Sequence, residues 1–246
     1  MTTIITLLIS VFATAFISGV FGMAGGLILM GVLALILPVS SAMVVHGVVQ
    51  SVSNGWRAIL LRRWIDWKLL GLFLTGSAIA IGLLVFTAME LPKSWLFIVL
   101  GLVPSVIWIP KKWIHLDAAK PAHSIACGLA VTGLNTVAGV SGPLLDVFFA
   151  QTNRDRRCIV ATKAATQVIS HGVKISYYIL PALAAGAMPQ AEWLLIAAPL
   201  AIIGTTLGAR FLEKMSDIQF RNWTKWIVTG IGAIYVIRGS LLLIGS

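Results

Sequence analysis

The sequence predicts an all-α, polytopic membrane protein built from two inverted repeats. Three observations support this prediction: an excess of apolar residues, a series of long apolar segments, and a repeated pattern of glycine and polar residues. Of 246 residues, 59% are hydrophobic and only 11% are charged, and the mean hydropathy is +0.97. Soluble domains contain about 25% charged residues, so we expect the excess apolar surface of this chain to face lipid.

Ten apolar segments follow one another along the chain. They cover residues 3–20, 23–38, 41–61, 69–88, 94–109, 123–138, 142–151, 158–181, 191–212 and 223–244. Most reach the roughly 17 to 25 residues that cross a hydrocarbon core of about 30 Å. Segment 142–151 is too short to cross alone, so it fits a half-helix or one arm of a re-entrant hairpin. We expect the first segment to be retained, because it lacks the charged start of a signal peptide and continues past signal-peptide length.

The chain repeats itself with a shift of 117 residues. In this register, and without a gap, the pairs that align are Gly22 with Gly139, Gly25 with Gly142, Gln50 with Gln167, Ser53 with Ser170, and Arg57 with Lys174. A single register that holds both a glycine cluster and a polar string some 30 residues later indicates an internal duplication. We predict one membrane repeat at residues 1–117 and a second at residues 118–246, forming one transmembrane domain together.

Loop charges orient the two repeats. Lysines and arginines cluster in the loops at 62–68, 111–120, 154–157 and 214–225, whereas the loops at 38–41, 89–93 and 182–190 contain few. Positively charged loops stay in the cytoplasm, so segment 41–61 runs inward, its counterpart 158–181 runs outward, and both termini are predicted to be non-cytoplasmic. The net charge of +10 is therefore attributed to orientation and anionic headgroups, and no nucleic-acid partner is predicted.

Two glycine clusters stand at matching positions between apolar segments. They are Gly22-Met23-Ala24-Gly25-Gly26 and Gly139-Val140-Ser141-Gly142-Pro143. Glycine permits positive φ angles, and proline suits the first turn of a helix. We therefore predict that each cluster is a break with a new helix N-terminus just after it, where free N–H groups and the helix dipole favour an anion. The alternative is that the small residues only allow close helix packing; the symmetric match favours a site near the membrane midplane.

Two of the segments carry a polar stripe. Steps of four, four and three residues bring the members of each stripe to one helical face. The stripes are His46, Gln50, Asn54 and Arg57 in segment 41–61, and Lys163, Gln167, His171 and Lys174 in segment 158–181. Polar groups avoid lipid, so these faces are expected to line a water-filled cavity or the bundle interior. Arg57 and Lys174 have an equal alternative, which is to snorkel toward the headgroups, and Gln50 and Gln167 are therefore the better candidate ligands.

The remaining ionisable and reactive side chains indicate ion pairing rather than catalysis. Asp146 lies in the short segment, and we expect it to pair with Lys163, Lys174 or Arg157; carrying a coupling proton is the alternative. The two cysteines have no CxxC spacing, which gives no support for a disulfide framework or a metal site. No nucleophile–base arrangement supports catalysis, so neither an enzyme nor a cofactor is predicted.

Over essentially its whole length the sequence resembles the sulfite exporter TauE/SafE family, also called the 4-toluene sulfonate uptake permease family. The resemblance rests on the size, the duplicated hydropathy, the two glycine clusters, and the polar third segment that ends at Arg62-Arg63-Trp64-Ile65-Asp66. Ala24 departs from the family pattern, which often has an extra glycine here. Members are permeases for sulfite, sulfonates and related organosulfur anions in bacterial inner membranes, and the resemblance implies such an anion and such a membrane for this chain.

Together these features predict a secondary transporter for a small, sulfur-containing anion. The groups expected to bind its oxygens are the helix N-termini at the two breaks with Gln50, Asn54, Ser141, Gln167 and His171. Arg57, Lys163 and Lys174 are expected to set the positive potential, and His46 or His171 to make transport depend on pH. Rocking of one repeat against the other provides alternating access, and a proton or another ion is the candidate coupling partner. A non-transporting assembly protein and an anion channel are the alternative functions.

Overall fold

The computed structural model describes residues 2–87, 90–113, 115–186, 188–212 and 214–245. These residues form ten α-helices and no strand: α1 (Thr2–Phe21), α2 (Met23–Ile36), α3 (Val39–Leu60), α4 (Trp67–Thr87), α5 (Lys93–Leu102), α6 (Pro121–Ala138), α7 (Gly142–Phe149), α8 (Arg156–Ala184), α9 (Ala191–Leu212) and α10 (Asp217–Ile244). Each predicted apolar segment corresponds to one helix, so the all-α prediction is confirmed. The predicted segment end at residue 88 and the predicted loop residues 89, 114 and 187 lie outside the described part of the chain.

Among the helices that differ from their predicted bounds, two show a clear local reason. Segment 94–109 splits, because α5 ends at Leu102 and a 3₁₀-helix continues over Val103–Trp108. Pro104 lacks the N–H that would extend the α-helical hydrogen bonds at this point. α8 extends past both predicted ends, and its first turn is capped by the Asp155 carboxylate, which accepts a hydrogen bond from the backbone N–H of Arg157 at 2.8 Å.

Several helices have the length and apolar surface of membrane spans. Within the described residues, four stretches qualify: Ile4–Phe21, Trp67–Phe86, Ala191–Leu212 and Asn222–Ile244. Large apolar side chains point outward from these helices, and Phe86 is 90% exposed, a surface that only lipid can cover favourably. With 14 and 8 residues, α2 and α7 extend about 21 Å and 12 Å and cannot cross a core of about 30 Å alone. The chain is a multi-pass membrane protein.

The helices of the two halves interleave. α1 packs against α9, and α6 packs correspondingly against α4; α3 packs against both α8 and α9, and α8 against both α3 and α4; α5 packs against α10. The same set of contacts results when each of the first five helices is exchanged with the helix five places later, so that α1 takes the place of α6, α2 that of α7, and so on to α5 and α10. The arrangement has the symmetry that a duplicated chain would give, while the predicted repeat boundary between residues 117 and 118 stays a prediction.

Glycines allow the main helix pairs to approach closely. Gly76 of α4 lies against the Ile125 carbonyl of α6, and Gly128 of α6 lies against the Phe73 carbonyl of α4, in each case with no room for a Cβ atom. The α1–α9 and α5–α10 pairs meet in the same way, through Gly19 with Gly208 and Gly101 with Gly232. Because lipid removes most of the hydrophobic drive for helix association, close backbone packing at small residues is what stabilises such pairs.

We expect Gly128→Ala to destabilise the protein by about 1–3 kcal/mol, the usual cost of overpacking, because the new methyl group meets the backbone of α4. Gly133→Ala on the same helix is the matched control, since a Cβ there meets nothing within 4 Å and alanine favours the helix. Thermal unfolding in detergent compares the two variants. Equal unfolding temperatures would show that the α4–α6 crossing does not depend on the glycine.

Candidate functional site

The first glycine cluster is interrupted at one residue. Gly22 has a φ of 61° and separates α1 from α2, which begins at Met23. The predicted break is therefore present but shorter than expected, and the rest of the cluster lies inside the first turns of α2: Ala24, Gly25 and Gly26. These residues are needed for close packing, since a Cβ at Gly25 would collide with the backbone of α1.

The second cluster forms a longer break that meets the first. Gly139 ends α6 in the left-handed region with a φ of 81°, and α7 begins three residues later at Gly142. A Cβ at Gly142 would lie 2.7 Å from the Cβ of Met23, and a Cβ at Gly139 would lie 2.8 Å from the Sδ of Met30. The start of α7 therefore lies against the start of α2, and the two breaks face each other as the sequence predicts.

Lys174 connects the two breaks. Its side chain is completely buried, and Nζ donates to the backbone oxygen of Gly139 and to Nδ1 of His46, both at 2.8 Å. Nδ1 of His46 is therefore an acceptor, so the ring carries its proton on Nε2, which donates to the oxygen of Gly26 at 2.9 Å. Among the described residues no carboxylate pairs with Lys174. The snorkelling alternative for Lys174 is wrong, because its ammonium group is bonded inside the bundle.

Asn135 extends this hydrogen-bonded chain and was not predicted from the sequence. Its amide nitrogen donates to Nδ1 of His171 at 3.3 Å, and the His171 ring packs edge-on against the His46 ring with centroids 5.5 Å apart. Its backbone oxygen accepts a hydrogen bond from Gly139. The signal available in the sequence was its position one turn before Gly139, with a polar residue, Ser18, at the matching position of the first repeat.

Two buried polar atoms beside the second break have no hydrogen-bond partner among the described residues, Ser141 Oγ and Asn135 Oδ1; Gln167 Nε2, farther along α8, has none either. Ser141 is the N-cap residue of α7 and is 1% exposed, yet its hydroxyl caps no backbone N–H. The N–H groups of Gly142 and Leu144 lack helical acceptors at this end of the helix. A buried helix start with a free hydroxyl is suited to bind a small anion.

The rest of the first stripe extends away from this polar centre. The Gln50 side chain is buried next to Gly26, where a Cβ would come within 3.2 Å of its Nε2. Asn54 donates to the Gln50 backbone oxygen, and the Arg57 side chain is half-buried in the last turn of α3. Arg57 lies eleven residues beyond His46, which is about 16 Å along the helix. It is therefore outside the polar centre.

The second stripe likewise divides into a central and a distant part. His171 and Lys174 belong to the centre, whereas Lys163 forms an ion pair with Asp146, so that Asp146 contacts one of its three expected partners. Both side chains of this pair are partly exposed, at 29% for Lys163 and 38% for Asp146. Lys163 precedes Lys174 by eleven residues, again about 16 Å along the helix.

The two stripes lie opposite each other on a pair of antiparallel helices. Gly47 of α3 packs against Ile175 of α8, and Gly55 lies near Val168, so residue numbers rise along α3 as they fall along α8. This antiparallel pairing brings His46 to Lys174.

The far end of α7 is fixed by the loop that precedes α6. Ala118 donates to the backbone oxygen of Phe148 at 2.8 Å, and the Thr152 hydroxyl donates to the Asp117 carboxylate at 2.9 Å. The backbone N–H of Asp117 donates to Nδ1 of His123 at 3.0 Å. These bonds hold the short helix in place although it is too short to span the membrane.

We expect His46→Ala to destabilise the protein more than Asp146→Asn. The first change leaves Lys174 Nζ and the Gly26 oxygen with one partner fewer, and an unsatisfied buried group costs about 1–3 kcal/mol. The second weakens a partly exposed ion pair, which is worth about 1 kcal/mol or less. Thermal unfolding in detergent measures both. A larger loss for Asp146→Asn would contradict the central role of the Lys174–His46 contact.

The sequence as a whole matches a known family. The family model described as Sulfite exporter TauE/SafE matches residues 7–235, a range that contains both glycine breaks and both polar stripes. No curated protein and no solved structure matches the chain. Because the family match covers far more than half of the chain, the protein belongs to the sulfite exporter TauE/SafE family of membrane transporters.

Proposed function

We propose that this protein is a secondary transporter that moves sulfite, a sulfonate or a related sulfur oxyanion across the cell inner membrane by alternating access. The observation that carries the proposal is the ammonium group of Lys174, which is buried at the meeting point of the two breaks without a carboxylate partner in the described part of the chain. A buried, uncompensated charge inside a membrane protein is costly and typically functional. A bound anion would supply the missing negative charge.

The groups around Lys174 favour an oxyanion as this ligand. Nζ carries three N–H bonds and uses two of them, on His46 and Gly139. The free hydroxyl of Ser141 and the first N–H groups of α7 supply further donors beside the same break. Several converging donors and one cation are the arrangement that proteins use to bind small oxyanions.

The exposure of the two stripes supports alternating access. At one end His46, Gln50, His171 and Lys174 are all buried. At the other end Asn54, Arg57, Lys163 and Gln167 are only half-buried. A polar path that is closed at one end and open at the other is expected of a transporter in one of its two states, whereas a channel needs a continuous path. The distribution of loop charges supports an open end that faces the cytoplasm and termini that lie on the opposite side.

The Asp146–Lys163 ion pair is the candidate coupling element of the same transporter. It lies at the open end of the path, and partial exposure of both side chains gives protons access to the carboxylate. Asp146 also has no acidic counterpart in the first repeat, since Leu29 occupies the matching position. Protonation of Asp146 would release Lys163 and so couple a proton to movement of the anion.

We expect Lys174→Met to reduce sulfite affinity about 10- to 100-fold, because a hydrogen bond to a charged group contributes about 1.5–3 kcal/mol. Lys120→Met is the control, since Lys120 is an exposed loop lysine and its replacement removes the same charge. Saturable sulfite flux in proteoliposomes measures the effect, and the rise in unfolding temperature with sulfite tests binding independently of transport. Equal flux in the two variants would remove Lys174 from the site. Non-saturable flux would indicate a channel, and no flux in the wild type would indicate a non-transporting protein.

We expect the double change Gln50→Ala and Gln167→Ala to raise the KM for sulfite about tenfold or more, because each amide is proposed to bind the anion during its passage. Gln190→Ala, at an exposed position before α9, is the control. If the double variant retains the wild-type KM and maximal flux in proteoliposomes, the two glutamines do not contact the substrate.

A further inference from the structure

We infer that Asn135 makes the site selective for a singly charged oxyanion that carries its own proton, so that hydrogen sulfite is preferred over the sulfite dianion and over sulfonates. This inference rests on the proposed function. It concerns the protonation state of the transported anion and the residue that recognises it. Two features of the polar centre carry it: its charge, and the amide oxygen of Asn135, a buried group that can only accept and that has no donor among the described residues.

The positive charge of the polar centre is balanced by a ligand that carries one negative charge. Lys174 is the cation that lies between the two breaks. Arg57 and Lys163 are about 16 Å away along their helices, and Asp146 neutralises Lys163. The N-terminus of α7 adds only a partial positive charge. A dianion would therefore bring one uncompensated charge into a buried site, at a considerable cost in solvation.

The hydrogen bonds of the centre distinguish among singly charged anions. Nδ1 of His46 accepts from Lys174 and Nδ1 of His171 accepts from Asn135, so both rings are neutral with the proton on Nε2. Lys174 and Ser141 then present donors to an anion. Oδ1 of Asn135, in contrast, is a completely buried acceptor without a donor.

A fully ionised oxyanion has no donor for Asn135, whereas hydrogen sulfite has one. A site with a buried acceptor rejects ligands that leave it unpaired. The backbone of Asn135 caps the end of α6 at Gly139, whose oxygen binds Lys174. The Lys174 ammonium group is therefore bonded to the end of the α6 turn that carries the acceptor, and we infer that one small anion contacts both.

The experiment compares sulfite with methanesulfonate, a singly charged anion without an acidic proton. Flux of each is measured in proteoliposomes at a mildly acidic and at a mildly alkaline pH, on either side of the change from hydrogen sulfite to sulfite, with sulfate as a dianionic competitor. Arg57 of α3, Lys163 of α8 and Asp146 of α7 lie at the distant ends of the stripes, and α4 contributes only Lys68, exposed in its first turn. The titratable groups that face the centre are His46 from α3 and His171 and Lys174 from α8. Their titration affects both substrates, so the ratio of the two fluxes reports the protonation of the ligand.

We expect the sulfite-to-methanesulfonate ratio to fall at the higher pH, and sulfate to compete poorly. Asn135→Leu should lower the ratio at the lower pH about 5- to 100-fold while flux of methanesulfonate persists. Asn222→Leu, at an exposed position in α10, is the matched control. The pH dependence of the flux ratio in the wild-type protein tests the inference even if Asn135→Leu does not fold.

Three results would overturn the inference: a ratio that does not change with pH, strong competition by sulfate, or an equal loss of both substrates in a folded Asn135→Leu variant. Each of them leaves the proposed transport function intact. The absence of saturable flux of both anions in the wild type would instead contradict the proposed function itself.

Discussion

The two hydrogen bonds of the Lys174 ammonium group hold the centre of this protein together. One reaches the second glycine break directly, and the other reaches the first break through His46. The bond to His46 depends on the antiparallel pairing of α3 and α8, which also brings the two polar stripes face to face. A single buried cation therefore links α2 and α3 to the end of α6 and to α8.

Glycine has two different functions in this fold. At Gly22 and Gly139 it provides positive φ angles that interrupt the chain and start new helices inside the bundle. At Gly76 and Gly128 it removes a side chain so that two long helices can touch along their backbones. The first use creates polar helix ends where a ligand can bind. The second creates the rigid frame that keeps these ends in place, and in a lipid environment a frame of this kind cannot rely on the hydrophobic effect alone.

The elements of this fold could be predicted from the sequence because their signals are local. Apolar runs of a helical length predicted the positions of all ten helices. The glycine clusters predicted both breaks, where Gly22 and Gly139 have positive φ angles in the structure. The stripes were recognisable because residues three and four apart share a helical face. The start of α2 inside its cluster was not predicted, because Gly22 alone is sufficient to turn the chain and the following glycines serve packing against α1.

The contacts between elements could not be predicted in the same way. Local patterns did not show whether Lys174 points to the headgroups or to the interior, and did not choose among the three possible partners of Asp146. Asn135 was missed because a single asparagine in an apolar helix has no periodic signal. Its importance arises only from the position of His171 on another helix, and such tertiary relations are absent from a single sequence.

The interleaving of the two halves has a consequence for how the chain is made. α1 is synthesised before the other nine described helices, yet its main partner is α9, which begins at Ala191. During synthesis α1 stays in the bilayer without its main partner until α9 has been inserted. α4 likewise lacks its main partner until α6 has been inserted. Assembly of the bundle therefore has to follow insertion rather than accompany it, and an interrupted chain would leave glycine-lined helix faces open to other membrane proteins. The interleaving of the helices therefore makes the packing of α1 depend on α9.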